Sequence, residues 1–155
     1  MKRFYAILFI SIPLLLGAQT RYKLPPKEVV DILDASPTPL AVVSPMKAAI
    51  LFVEHKAHPS IAFISQPFLR IGGLRINPEL GTRQRLTQYT GMTVRWLDKE
   101  KSIRISVPNN SDIGMPVWSN DGKKIAFTID QGNGTALWIA NVETGKAAAL
   151  TGIRT

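Results

Sequence analysis

The chain has two imidazoles, His55 and His58, three residues apart and followed by Pro59. An imidazole acts as general base beside a nucleophilic serine, or as a metal ligand. A catalytic zinc asks for three protein ligands. The one carboxylate nearby, Glu54, adjoins His55 on what reads as a strand, so the two point to opposite faces. A hydrolase serine sits on a tight strand-to-helix turn written G-x-S-x-G. No serine here has that context: Ser119 lies in a Ser-Asn-Asp-Gly turn and Ser44 precedes Pro45. Cysteine is absent, which excludes thiol chemistry, Cys-ligated zinc and disulfides. Gly132-Asn133-Gly134-Thr135 lacks the lysine and helix of a phosphate loop and reads as a hairpin turn. Asp121 in its turn is expected to accept backbone N–H bonds rather than to act as an acid. The residues therefore assign no catalytic, cofactor-binding or metal site, and no cofactor.

The elements that would position any chemistry begin with a leader. Met1-Lys2-Arg3 is basic, Phe4 to Leu16 is an apolar run broken by Ser11 and Pro13, and Gly17-Ala18 precedes polar Gln19-Thr20-Arg21. That tripartite order is the pattern of a secretory signal peptide over residues 1–18, with Ala18 the expected last residue removed. The run is shorter than the roughly 20 apolar residues of a spanning helix, so no stable membrane anchor is expected after cleavage. The chain is read as exported, to a bacterial periplasm or the exterior. Its formal charge is +8, and removing Lys2 and Arg3 leaves +6, from 17 Lys and Arg against 11 Asp and Glu. Those charges are scattered, without the basic stripe and interleaved aromatics of a nucleic-acid binder. Asn109-Asn110-Ser111 and Asn133-Gly134-Thr135 fit the glycosylation sequon, a pattern short enough to arise by chance.

At 155 residues the chain allows one ordinary domain. Residues 19–39 form an N-terminal segment. Within it Pro25-Pro26-Lys27-Glu28 opens a short helix whose Val29, Ile32 and Leu33 share a face, and Pro37-Thr38-Pro39 stops it. From Leu40 onward the signals are strands and turns. Gly114–Trp118 reads as a strand, Ser119–Gly122 as a turn, and Lys123–Ile129 as a strand with Ile125, Phe127 and Ile129 on one face. Gln131–Gly134 turns again. Thr135–Val142 is a strand apolar enough for burial on both faces, and Ala147–Thr151 closes a fourth after a turn at Glu143–Lys146. Four antiparallel strands in about 40 residues is the size of one propeller blade.

The pattern repeats. Shifted by 75, Val42–Phe52 lies against Val117–Phe127, with Ser, Ile and Phe coinciding. Shifted by 45, Thr93–Lys101 lies against Trp138–Lys146. The segment 40–155 thus reads as two blade-like units. The first is stretched by an inserted hairpin at about 56–89, which carries Pro59, Pro67, Gly72-Gly73 and Pro78, and the second covers about 114–151. The expected fold is all-β, an incomplete β-propeller of about two blades with a short N-terminal helix. Two blades cannot close a ring of 4–8.

The stretch Trp118-Ser119-Asn120-Asp121-Gly122-Lys123-Lys124-Ile125-Ala126-Phe127, then Leu137-Trp138-Ile139-Ala140 and Thr144-Gly145-Lys146, resembles the W-S-P-D-G-K-x-I-A-F … L-W-x-x-[DN] … T-G-[KE] repeat (the PD40 repeat) of TolB-type propellers. It departs at Asn120, where Pro is usual. The first unit keeps Ser44-Pro45 but has Met46-Lys47 in place of Asp-Gly. Tyr22–Asp34 with Pro37-Thr38-Pro39, Leu69–Pro78 and Tyr89-Thr90-Gly91-Met92 resemble the N-terminal part of secreted bacterial serine peptidases of the prolyl oligopeptidase class, family S9. The resemblance covers the whole mature chain but only the front of that architecture. It implies a propeller that gates peptide access to a C-terminal α/β-hydrolase domain with a Ser-Asp-His triad. The expected partners are that domain, the remaining blades and, through the full enzyme, peptide substrates. Trp96, Trp118 and Trp138 could line a ligand surface, but the resemblance implies that Trp118 and Trp138 pack between blades, so core packing is expected over that role. The alternatives left open are a stand-alone exported binding module and a truncated, non-functional product.

Overall fold

A computed structural model describes residues 23–109, 111–131 and 134–154, the side chains of 152–154 apart. The expected signal peptide, Gly132-Asn133 and Asn110 lie outside the described residues. The chain divides into two compact units, Met1–Leu33 and Asp34–Thr155.

In the first unit the described element is α1, Lys27–Leu33, with Glu28 in its first turn and no buried residue. The Pro26 carbonyl accepts from the Val29 and Val30 amides at 3.0 and 3.2 Å. Proline supplies the first turn without losing a needed donor. Lys27 pairs with Asp31 one turn on.

The second unit is antiparallel β. Strands β1 (Leu40–Val43), β2 (Ala49–His55), β5 (Tyr89–Trp96) and β6 (Ser102–Arg104) form one meander, each hydrogen-bonded to the next. Strands β8 (Val117–Trp118), β9 (Lys124–Gln131), β10 (Gly134–Asn141) and β11 (Ala147–Arg154) form a second. The two-residue strand β7 (Asp112–Ile113) joins them, pairing Tyr89↔Ile113 on one side and Asp112↔Asp130 and Ile113↔Ile129 on the other. Between β2 and β5 the chain forms α2 (Ile61–Ile64), whose N-cap Ser60 accepts from the Phe63 amide, and a separate hairpin of β3 (Leu69–Ile71) and β4 (Leu74–Ile76). The hairpin turns through Gly72 and Gly73 at φ +56° and +81°, the two positive angles a tight two-residue turn requires.

The two meanders share one hydrogen-bond plan. Ser44 N donates to Ala49 O at 2.9 Å, and 75 residues on Ser119 N donates to Lys124 O at 2.9 Å. Leu97 N donates to Ala48 O and Val142 N to Lys123 O, both at 3.0 Å, which joins the shift of 75 to the shift of 45. The register agrees: Ala49↔Trp96 in the first unit answers Lys124↔Asn141 in the second.

The faces they bury do not agree. In the first meander the core side is Ala49, Leu51, Val53, Met92, Val94 and Trp96; in the second it is Trp118, Ile125, Phe127, Ile129 and Ala140. Leu51 corresponds to Ala126, not to Ile125 or Phe127. Each meander therefore presents the opposite face of the same plan to the joint between them. Apolar side chains from both sides form a single cluster there, and its removal from water is the main stabilising term of this unit. The Trp118 indole also crosses the joint, donating to the Val42 carbonyl at 3.2 Å.

Some boundaries differ from the sequence reading. The strand read over Gly114–Trp118 is only Val117–Trp118, because Pro116 has no N–H to give a ladder. The last strand runs on to Arg154. Strand β10 is half-buried along most of its length rather than enclosed on both faces, since only its Trp138 and Ala140 side meets the first meander.

Candidate functional site

The residues singled out in the sequence are largely occupied by turns. Ser44 is buried and its Oγ accepts from the Ala48 and Ala49 amides, both at 3.2 Å. Ser119 Oγ accepts from Lys124 N at 2.9 Å and donates to Asp121 Oδ1 at 2.6 Å. Asp121 Oδ1 also accepts from Lys123 N at 3.0 Å. The Ser119 hydroxyl and then the Lys123 amide hold the Asp121 carboxyl below its usual range. His55 ends β2, half-buried, with Nδ1 3.1 Å from the Lys56 carbonyl, and His58 is exposed in the loop beyond. Glu54 does not join His55; it makes a two-pronged ion pair with Arg104 at 2.6 and 2.8 Å. Gly91, Glu54's cross-strand partner, leaves the space that pair fills. No group of three His, Cys, Asp or Glu able to hold a metal occurs among the described residues. Trp96 and Trp118 are buried in the core, and Trp138 stacks on Phe127 with ring centroids 6.5 Å apart.

A concavity among the described residues lies elsewhere. A cavity of about 380 Å³ opens between the inserted segment and one end of the sheet. Phe63, Leu80, Arg83 and Arg85 line it from the inserted segment, and Asp112 and Asp130 from the sheet. The register of β7 on β9 sets the two aspartates directly opposite one another. Burial raises the Asp112 carboxyl pKa first, and the Asp130 charge raises it further; Arg85 and Lys56 oppose both. Thr135 Oγ1 donates to Asp130 Oδ1 at 2.6 Å. Gln84 places a buried Oε1 at the same cavity without a hydrogen-bond partner. Charges of both signs among apolar side chains suit a polar ligand better than a purely hydrophobic one. Sequence reasoning missed this cluster. Asp112 and Asp130 are 18 residues apart in unlike contexts, and only strand pairing brings them together.

No family model matches the chain. In sequence it is 38% identical over 146 residues to a probable glutamyl endopeptidase, chloroplastic, of Arabidopsis thaliana, a match covering 87% of this chain and 15% of that protein. It is 36% identical over 146 residues to the protein of the same name in Oryza sativa subsp. japonica, covering 86% of this chain and 16% of that one. The chain thus spans about a sixth of the curated relatives it matches. The similarity relates the chain to peptidases. Among solved structures it is similar to a putative dipeptidyl aminopeptidase IV of Bacteroides ovatus, at 18% identity and a TM-score of 0.45, over 71% of this chain and 16% of that one. That likeness is too low to carry fold or activity across.

Proposed function

We propose that the chain is the front of a β-propeller in a secreted serine peptidase of the prolyl oligopeptidase class. It screens peptides for a catalytic α/β-hydrolase domain that lies outside these residues. The observation that carries the reading is the 38% identity, over 87% of this chain, to a probable glutamyl endopeptidase. Two meanders with one hydrogen-bond plan, stacked face to opposite face, support the propeller. The leader pattern supports export. The relatives' name supports an endopeptidase acting at glutamyl residues as the parent activity. The nucleophile, acid and base belong to the hydrolase domain. This segment supplies blade surface and the cavity at Asp112 and Asp130, where a peptide is held or turned away by size and charge.

The test uses the product of the longest reading frame that contains this sequence. Short glutamyl peptides should be hydrolysed, and a folded protein with exposed glutamates should not. Cleavage of the folded protein as fast as of the peptide would contradict the screening role. A second reading, a stand-alone exported binding module, draws on the same cavity. It would show as peptide binding by the 155-residue chain with no hydrolysis by any longer product.

A further inference from the structure

The inserted segment over residues 56–89 has four arginines and one lysine against the single carboxylate of Glu79, a net charge of +4. Its hairpin sets two of the arginines directly opposite one another, Arg70↔Arg75. The Arg75 carbonyl faces away from Arg70 and accepts from Gln84 N at 2.8 Å. Arg70↔Arg75 is therefore a non-hydrogen-bonded pair, the kind that brings side chains closest. Like charges so placed repel. Among the described residues the ion pairs leave both guanidiniums without a carboxylate. Both lie instead over the Phe68 ring, 5.6 and 4.6 Å from its centroid. An aromatic face holds a cation without neutralising it. Both arginines are exposed. The row then continues toward the cavity. Strand β4 pairs onward at Ile76↔Arg83, which puts Gln84 beside Arg75 on the face that carries Arg70. Gln84 lines the cavity, and its Oε1 has no hydrogen-bond partner.

We propose that Arg70 and Arg75 bind the side-chain carboxylate of an acidic peptide and so select for acidity in what the segment screens. The proposal rests on the peptide-screening reading above and goes beyond it by naming the residues that read the charge. The planar fork of arginine matches a carboxylate. One carboxylate between the two guanidiniums also cancels their mutual repulsion. A peptide brings a backbone N–H along with that carboxylate, which suits the Gln84 amide oxygen further along the row. An anionic lipid surface would answer the arginines but could not enter the cavity to reach Gln84.

The experiment uses the product of the longest reading frame that contains this chain, treated with a fluorophosphonate so that peptides are not cleaved. The probes are fluorescent peptides, acetylated and amidated at their ends and identical except for glutamate or glutamine. Binding is followed by anisotropy. The glutamate peptide should bind about tenfold more tightly, and the preference should shrink as salt is raised. Arg70→Gln and Arg75→Gln should each weaken the glutamate peptide by about tenfold and leave the glutamine peptide unchanged. Equal losses on both peptides would reduce the arginines to a structural role and overturn the proposal. So would unchanged binding of the glutamate peptide, or an arginine effect that appears only with a free C-terminal carboxylate or only on phosphatidylserine vesicles. If a glutamine variant loses its β-sheet circular dichroism, Arg70→Lys and Arg75→Lys keep the charge without the fork, and the same selective loss, smaller in size, is required. Glutamyl hydrolysis without any dependence on the arginines leaves the peptidase reading standing and removes the proposal. Selective binding without hydrolysis does the reverse.

Discussion

Lys47 and Gly122 hold the same left-handed backbone conformation, φ +55° and +67°, at equivalent places in two turns 75 residues apart. Among the described residues Lys47 is the one non-glycine with positive φ. In both turns the residue's amide donates to the carbonyl of the turn's serine at 2.9 Å, Lys47 to Ser44 and Gly122 to Ser119. The two turns are also neighbours, since a Cβ on Gly122 would meet Met46 Cγ at 3.5 Å. A lysine in this conformation carries a cost of about 1–2 kcal/mol that glycine avoids, offset in part by the greater freedom glycine loses on folding. Lys47→Gly is therefore expected to stabilise the chain by about 0.5–1 kcal/mol, and Gly122→Ala to destabilise it by about 1 kcal/mol. Urea denaturation checks both signs. A Lys47→Gly variant less stable than wild type would show that the lysine side chain holds the turn.

Two glycines with crowded surroundings should respond differently. A Cβ on Gly145, at φ +69°, would come within 2.7 Å of the Arg104 carbonyl oxygen, and Gly145 O accepts from Ser106 N across the joint. Backbone cannot step aside, so Gly145→Ala should cost about 2–3 kcal/mol. A Cβ on Gly91 would instead meet the tips of Arg104 and Glu54. Those tips end flexible side chains, Arg104 62% exposed and Glu54 35%. Gly91→Ala should displace the ion pair at a cost of about 1 kcal/mol or less. Thermal unfolding of the two variants side by side checks the order, and equal costs would contradict it.

The cavity aspartate and the turn aspartate should show opposite pH behaviour. Asp112 has a folded-state pKa above its ordinary value, so the folded chain holds that proton more tightly than the unfolded one. Its contribution is favourable in acid and is lost as pH rises through the folded pKa. Asp112→Asn should then raise the melting temperature at neutral pH, with the gain shrinking toward acid. Asp121 is shifted down, so its stabilising contribution is present above its unfolded pKa and lost as pH falls. Asp121→Asn should lower the melting temperature at neutral pH and have little effect in acid. Parallel pH profiles for the two variants would contradict the electrostatic account.

Much of this fold is legible in the sequence because turn chemistry is local. Ser119-Asn120-Asp121-Gly122 announces its own hydrogen bonds, and the ungapped match of Val42–Phe52 to Val117–Phe127 locates the same turn where Met46-Lys47 disguises it. Burial is less legible, because it depends on what a face meets. Ile50-Phe52 and Ile125-Phe127 are the same residue types at the same register, yet only the second pair is enclosed. The cavity was not legible at all. Asp112, Asp130 and Arg85 carry no motif and meet only through the pairing of β7 with β9 and the return of the inserted segment. The histidines drew attention by their type, but among the described residues the side-chain hydrogen bonds give them only the Lys56 carbonyl, at His55.

The proposed function places the reactive serine of the parent peptidase outside this chain. The most direct measurement is to label the product of the longest reading frame containing it with a serine-reactive fluorophosphonate and to map the modified residue by mass spectrometry. The account predicts one labelled serine, outside the 155 residues, and loss of glutamyl-peptide hydrolysis in step with labelling. A label on Ser44, Ser119 or any other serine within these residues, or peptide hydrolysis that survives complete labelling, would contradict it.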